Sequence, residues 1–428
     1  MAGSDTIFAL SSGPPPAAIA VVRISGPSAA DALISLTGKL PAPRKASLRR
    51  LRDPADATRV LDDALVLFLP GPDNATGEDT VELHLHGGRA LVRAVEGVLA
   101  DLPGLRPAEP GEFTRRAFAN GKLDLSEAEG LADVLSAETA LQLANARALA
   151  SGVLSSAVSR WRDEVLALSA MVEAVLDFSD EEDPEELGPT FYQRVDDLAR
   201  DIRSWVDAPT NETLREGFRV GIAGPPNSGK SSLFNALVGE DAAISTPIAG
   251  TTRDVLIRPV ALESVPFTFI DMAGLRQETA DPIERIGISR AEAEIARADL
   301  VLWLGEEEKG PQGAWDIETK SDLGARTKKN PRFRISSITG EQVAELKTAM
   351  ISAARATMPR PGETAVNRFQ KKNLRTALDH LNQIGNSNDG LLAGENLRLA
   401  RLSFDRLTGA TCTEDVLDTL FGRFCIGK

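Results

Sequence analysis

The sequence predicts a multidomain α/β protein: an N-terminal α/β domain, then an α-helical bundle domain interrupted by an inserted Ras-like P-loop domain. Three observations carry this reading. At 428 residues the chain is too long for one ordinary core. The stretch Phe218 to Leu237 reads FRVGIAGPPNSGKSSLFNAL: a short apolar run, a glycine-bounded loop, then apolar residues at helical spacing. Finally, helical patterns at 123–216 and 373–428 are each short for an independent core, so they are expected to pack together around what lies between them. The expected domains are 1–120, then 121–216 and 356–428 as the two helical parts, with the nucleotide domain at 217–355.

Composition bounds the function. With 42% hydrophobic and 26% charged residues the chain has the balance of a soluble globular protein. No apolar run approaches the ~18 residues of a membrane span, and MAGSDTIFALSS lacks the features of a signal peptide. No membrane association and a cytoplasmic location are therefore expected. Two cysteines, Cys412 and Cys425, cannot build a disulfide framework, which fits a reducing compartment. A net charge of −14 disfavours nucleic-acid binding by bulk electrostatics, so any RNA contact must use a local patch.

In the first 120 residues, Ile19–Ile24, Ala64–Leu69 and Thr80–Leu85 read as strands and Ala90–Leu99 as a helix. Arg44, Lys45, Arg49, Arg50 and Arg52 read as a solvated face or loop. His84 and His86 stand two apart on a strand but have no third metal ligand in view. The run PGEFTRRAFANGKLDL, 110–125, lacks periodicity and reads as an exposed, structured connection. Ser126 with Glu129 reads as a capping box opening a helix. Trp161, Val165, Leu168, Val172 and Val175 then recur at helical spacing. The acidic run Asp180 to Glu186 reads as a solvated loop, and a further helix carries Leu198, Ile202 and Trp205.

The nucleotide domain carries the chemistry. Gly224 and Gly229 let the backbone fold around phosphates, so that N–H groups and a helix N-terminus face the anion. Asn227, Ser228 and Ser232 belong to the same phosphate-binding stretch. Lys230 supplies a charge for the β- and γ-phosphates, and the Ser231 hydroxyl can ligate Mg²⁺. Downstream, Gly250-Thr251-Thr252-Arg253-Asp254 resembles a switch I loop whose threonines follow the γ-phosphate and Mg²⁺. Asp271-Met-Ala-Gly274 follows a strand at Phe267–Ile270, with the carboxylate on the Mg²⁺ side and Gly274 near the γ-phosphate. Thr319-Lys320-Ser321-Asp322 reads guanine through its carboxylate, and Ser336-Ser337 closes the base pocket. In this order these motifs specify a GTPase. Leu275 stands where Ras-like GTPases place a water-orienting glutamine, so another residue must position the nucleophile. Arg253 and Arg276 are open as arginine fingers.

These residues resemble the tRNA modification GTPase family MnmE, also called TrmE. The resemblance covers nearly the whole chain: Asp5-Thr6-Ile7, Arg23-Ile-Ser-Gly26, the GEFTRRAFANGKLDL run and the terminal Phe424-Cys-Ile-Gly-Lys428, besides the GTPase motifs. It implies an N-terminal folate-binding domain that dimerises, a helical domain around the G domain, and a catalytic Cys425. It makes Asn227 a K⁺ ligand, with Thr246, Ile248 and Thr251 completing the K⁺ and nucleotide site, and Glu284 the residue that orients water. Arg23, Glu82 and Lys122 become the folate contacts. The implied reaction modifies carbon 5 of wobble uridine in tRNA. Its donor is 5,10-methylenetetrahydrofolate, with 5-formyltetrahydrofolate as an analogue, and its partner is an FAD protein resembling MnmG (GidA) in a heterotetramer.

The chain departs from the family pattern at Thr319, where Asn is usual, at Met272, in the short stretch 304–317, and at Ser12-Gly-Pro-Pro-Pro-Ala. Residues apart from the family leave Glu284 equally a helix-terminal acid and Cys425 a small buried hydrophobe. Gly427 and Lys428 favour instead a flexible, cationic tail that carries a thiolate to a substrate. The rivals are a ribosome-assembly GTPase resembling Era or Der, which calls for a basic C-terminal RNA-binding fold, and a folate-binding scaffold with a vestigial GTPase.

Overall fold

A computed structural model describes residues 5–177, 187–239, 256–271, 296–324, 326–360, 363–385, 389–411 and 413–428. The chain divides into two compact units, residues 1–132, 150–160 and 404–428, and residues 133–149 and 161–403. No helix among the described residues is long and apolar enough to cross a membrane.

The first unit is built on β1 (Thr6–Leu10), β2 (Ile19–Ser25), α1 (Ala29–Thr37), β3 (Ser47–Asp53), β4 (Asp56–Leu69), β5 (Thr80–His86), α2 (Arg89–Ala100) and β6 (Leu105–Pro107). The strands form one sheet in the order β3-β4-β5-β2-β1-β6, antiparallel except for the β1–β6 pair. Period-two alternation decides its faces. Ala20, Val22 and Ile24 of β2 are buried together with Leu33, Leu36, Val92, Val95 and Leu99 of α1 and α2. Arg23 falls on the opposite face, directly across from Glu82. The arginines at 49, 50 and 52 lie on the edge strand β3 rather than in a loop, and Arg50 pairs with Asp63 at 2.8 Å. His84 contacts Glu82 and His86 contacts Asp62, and no metal-holding group of three His, Cys, Asp or Glu occurs among the described residues.

The stretch read as an exposed connection contains α3 (Glu112–Ala119), whose Phe113, Thr114, Arg116 and Ala117 are buried. Its period was hidden because a buried position is an arginine. Arg116 is 6% exposed and bridges Asp5 at 2.9 Å, Glu78 at 3.2 Å and Glu112 at 3.1 Å. The capping box of α4 (Leu125–Ser136) is made by Asp124 and Glu127, not Ser126 and Glu129. Each carboxylate accepts the other residue's backbone N–H, and Ser126 is buried, donating to Asp124.

The second unit contains α5 (Ala140–Ala150) and most of α6 (Val153–Asp177), where Trp161, Val165, Leu168 and Val172 are buried as their spacing predicts. The acidic run Asp180 to Glu186 lies outside the described residues. Then come α7 (Pro189–Asp207), α8 (Glu212–Glu216), β7 (Phe218–Ala223), α9 (Lys230–Val238), β8 (Leu256–Leu262), β9 (Val265–Asp271), β10 (Leu300–Trp303), β11 (Trp315–Glu318), β12 (Phe333–Arg334), α10 (Val343–Thr357), α11 (Arg368–Ile384) and α12 (Gly390–Thr408). The sheet order is β12-β11-β10-β7-β9-β8, parallel but for β8. Outside it, α11 packs on α7 and opens with a capping box of Asn367 and Gln370. A final helix, α13 (Glu414–Phe421), belongs to the first unit and packs on α3.

The Arg116 network yields a stability prediction. Burial opposes ionisation of Glu112, yet hydrogen bonds from Arg106, the Glu109 N–H and Arg116 hold its pKa below the ordinary carboxylate value. Its contribution is present above that ordinary value and is lost as pH falls through the depressed folded one. Arg116→Met leaves the partly buried carboxylates without their guanidinium. It is expected to destabilise the first unit by about 3–5 kcal/mol at neutral pH in denaturant unfolding, and by less in acid. A loss under about 1 kcal/mol at neutral pH would show the network to be dispensable.

Candidate functional site

The phosphate loop leaves the C-terminal end of β7, where ligands of open parallel sheets bind. Its geometry depends on left-handed backbone. Asn227 has φ 63° and Gly229 has φ 91°, and Gly229 caps α9. A Cβ on Gly224 would lie 3.0 Å from both Leu304 Cβ and Ser228 Oγ, which explains the glycine there. Lys230 is 8% exposed and its Nζ donates to the Gly224 and Pro225 carbonyls at 2.9 and 2.8 Å. The ammonium is thus drawn over the loop rather than into solvent. Ser231 and Ser232 are exposed on the first turn of α9.

A second loop, after β11, is tied to the first. Thr319 Oγ1 donates to the Ser228 carbonyl at 2.6 Å, and Lys320 Nζ donates to the Asn227 carbonyl at 2.8 Å. Lys320 itself is left-handed, with φ 61°, and begins a 3₁₀ turn at Ser321–Leu323. Asp322 Oδ1 accepts a hydrogen bond from Ser336 Oγ at 2.6 Å, and that same Oγ accepts from the Ile338 and Thr339 N–H groups. Ser336 is wholly buried, so the carboxylate is held by a fixed neighbour. The sequence-predicted residues Asn227, Ser228, Gly229, Lys230, Thr319, Lys320, Asp322 and Ser336 are therefore brought into two connected loops. Asp271 ends β9, paired with Ile222 of β7, one strand over. Thr246, Ile248, Thr251, Thr252, Gly274 and Glu284 lie outside the described residues, as do Arg253, Met272, Leu275, Arg276 and Cys412.

The short stretch 304–317 has a structural consequence. β10 and β11 are parallel, yet residues 304–314 between them contain no helix. A parallel crossover ordinarily takes a dozen or more residues and a helix. Side chains from the segment after β11 tie the two strands to it. Lys328, 5% exposed, donates to the Trp303 carbonyl at 2.9 Å and to Asp316 at 2.8 Å. Burial opposes ionisation of Glu318, but the Lys328 and Thr327 N–H groups and Arg334 hold its carboxyl below the usual range. Arg332 stacks 3.7 Å above Trp315. Sequence reasoning missed Lys328 and Glu318, whose only signal was the TKK run after a strand. A void of about 210 Å³ remains beside Ser228, Leu304, Thr319 and Lys328.

The residues fit a Mg²⁺-nucleotide. The Ser228 hydroxyl is buried without a hydrogen-bond partner among the described residues, a lysine sits over the loop, and Ser231 is exposed at the helix start.

In the first unit, Arg23 and Glu82 meet: Nε and Nη2 lie 3.2 and 3.0 Å from Glu82 Oε1. The guanidinium also lies 5.8 Å from the Phe113 ring centroid. Lys122 sits in the turn after α3, against Gly77. Cys425 is an exposed free thiol. Its tail is pinned rather than flexible. The Gly111 N–H donates to the Cys425 carbonyl, Ile426 forms a β-bridge with Pro110, and Gly427 has φ 95°. A Cβ on Gly427 would stand 2.2 Å from the Leu10 carbonyl oxygen. Glycines 111 and 427 were the sequence signal for this close approach. A void of about 550 Å³ borders Leu10, Ser12, Glu96, Ala108 and Ile426.

Two family profiles match. The MnmE helical domain matches residues 125–425, and the GTP-binding protein TrmE N-terminus matches residues 6–122. The tRNA modification GTPase MnmE of Erythrobacter litoralis is 59% identical over 425 residues, covering 99% of this chain and 100% of its own. The protein of the same name from Novosphingobium aromaticivorans is 56% identical over 437 residues, with 99% and 100% covered. Among solved structures, Era of Aquifex aeolicus is 20% identical over 38% of this chain and 66% of its own, with a TM-score of 0.26.

Proposed function

The chain belongs to the MnmE family of tRNA modification GTPases, and from that premise we propose that it is a K⁺-dependent, homodimeric switch acting on wobble uridine. The observation that carries the reading is the pair of ties between the phosphate loop and the Thr319–Asp322 loop, with Asp322 held by Ser336. A carboxylate so placed accepts from guanine N1–H and the 2-amino group, a pair adenine does not present. Era- or Der-like ribosome assembly gives way, because the family match runs from residue 6 to residue 425.

In this reading Ser231, Thr252 and Asp271 hold Mg²⁺. Asn227, with Thr246, Ile248 and Thr251, holds K⁺ when two G domains meet. K⁺ supplies there the positive charge that an arginine finger supplies elsewhere. Glu284 orients the attacking water. The role of Asn227 is supported by its left-handed backbone in a loop that Lys320 braces.

Residues 1–120 bind a tetrahydrofolate one-carbon donor through Arg23, Glu82 and Lys122, and mediate dimerisation. The Arg23–Glu82 pair supports this, since it offers a cation and an anion on the sheet face away from α1 and α2. Cys425 works at the uridine. With an FAD protein resembling MnmG (GidA), the dimer adds an aminomethyl or carboxymethylaminomethyl group to carbon 5 in the cytoplasm. GTP hydrolysis drives opening and closing of the G domains rather than the modification chemistry.

Two outcomes follow. GTP turnover should be faster in K⁺ than in Na⁺ by as much as roughly 10³-fold, the range of an arginine finger. Equal rates in the two salts would remove K⁺ from the account. Cys425→Ser should keep GTP turnover and abolish wobble-uridine modification, read by mass spectrometry of tRNA nucleosides. Full modification by that variant would reduce the cysteine to packing.

A further inference from the structure

We infer that this chain recognises guanine without a hydrogen bond to its N7, because Thr319 is a positioning residue for the phosphate loop and not a reader of the base. The inference rests on the GTP reading above and specifies how that site chooses its ligand.

A threonine hydroxyl has one O–H to give, whereas an Asn amide has two N–H groups. The Thr319 donor is committed to the Ser228 carbonyl at 2.6 Å, at the short end for a hydroxyl donor. Guanine N7 is an acceptor only. The remaining lone pairs on Oγ1 therefore have nothing to offer it. Turning the hydroxyl to N7 would strip the Ser228 carbonyl of this donor, and Lys320 Nζ is already placed on the Asn227 carbonyl.

Packing keeps the side chain where it is. A Cβ built on Gly229 would lie 3.3 Å from Thr319 Oγ1 and 3.4 Å from its Cβ, so the threonine is pressed against the loop backbone. Residue 320 is left-handed directly after it, which fixes the chain direction at this point. Base selection then falls to Asp322, whose position Ser336 sets, and so to the Watson–Crick edge alone. An Asn at 319 could serve Ser228 and N7 together, one N–H each.

The test is calorimetric titration of the full chain, with Mg²⁺, by GDP and by 7-deaza-GDP, which has C–H in place of N7. The wild type should bind the two within about 2-fold of each other. Thr319→Asn should bind GDP about 3- to 10-fold tighter, the yield of one neutral hydrogen bond, and leave 7-deaza-GDP unchanged. Thr319→Val should weaken both by the same factor, since it removes only the loop tie. A wild type that binds 7-deaza-GDP about 5-fold or more weaker than GDP would overturn the inference and leave the guanine site standing. Binding of neither nucleotide would overturn the guanine site itself. The wild-type comparison needs no variant to fold.

Discussion

The site depends on two hydrogen bonds that join its loops, Thr319 to the Ser228 carbonyl and Lys320 to the Asn227 carbonyl. A loop built from left-handed residues has no ladder of its own to hold it. Its carbonyls must find donors elsewhere or be left to water. By supplying those donors from the end of β11, the chain fixes the phosphate loop and the base-reading loop in one arrangement. Lys230 completes the set from inside by reaching back to the Gly224 and Pro225 carbonyls.

The first unit solves a comparable problem with charge. The terminal segment carrying Cys425 has no helix or sheet of its own to anchor it, and close backbone approaches at Gly111 and Gly427 do so. The α3 helix that provides Gly111's neighbours is in turn held by the guanidinium of Arg116 among Asp5, Glu78 and Glu112. The thiol itself stays exposed while the backbone on both sides is held.

How much of this was legible in the sequence follows from which residues have unique physical jobs. The strand, loop and helix around residues 224–231 were legible because glycine readily takes the left-handed backbone and close approach found at Gly224 and Gly229. The helices around Trp161 were legible because their apolar period is uninterrupted. The α3 helix was not, since burying an arginine breaks the pattern that hydrophobicity would reveal. The cap of α4 was misplaced by two residues because both Asp124 and Ser126 can cap, and only packing against Ser155 showed that Ser126 is turned inward. The missing crossover helix at 304–314 was visible as a short irregular stretch. The ties of Lys328 to Trp303 and Asp316 and the Arg332–Trp315 stack were not, because they join residues separated by turns.

If nucleotide turnover at this loop drives the domain motion that a tRNA modification elsewhere in the same chain requires, loss of turnover must carry loss of the modification with it. The most direct measurement places Lys230→Ala in cells lacking the native gene. Wobble nucleosides of bulk tRNA are quantified by mass spectrometry, and GTP turnover of the purified variant is assayed beside them. The account predicts that both are lost although the chain folds and Cys425 is intact. Normal modification in cells whose variant shows no GTP turnover would contradict it.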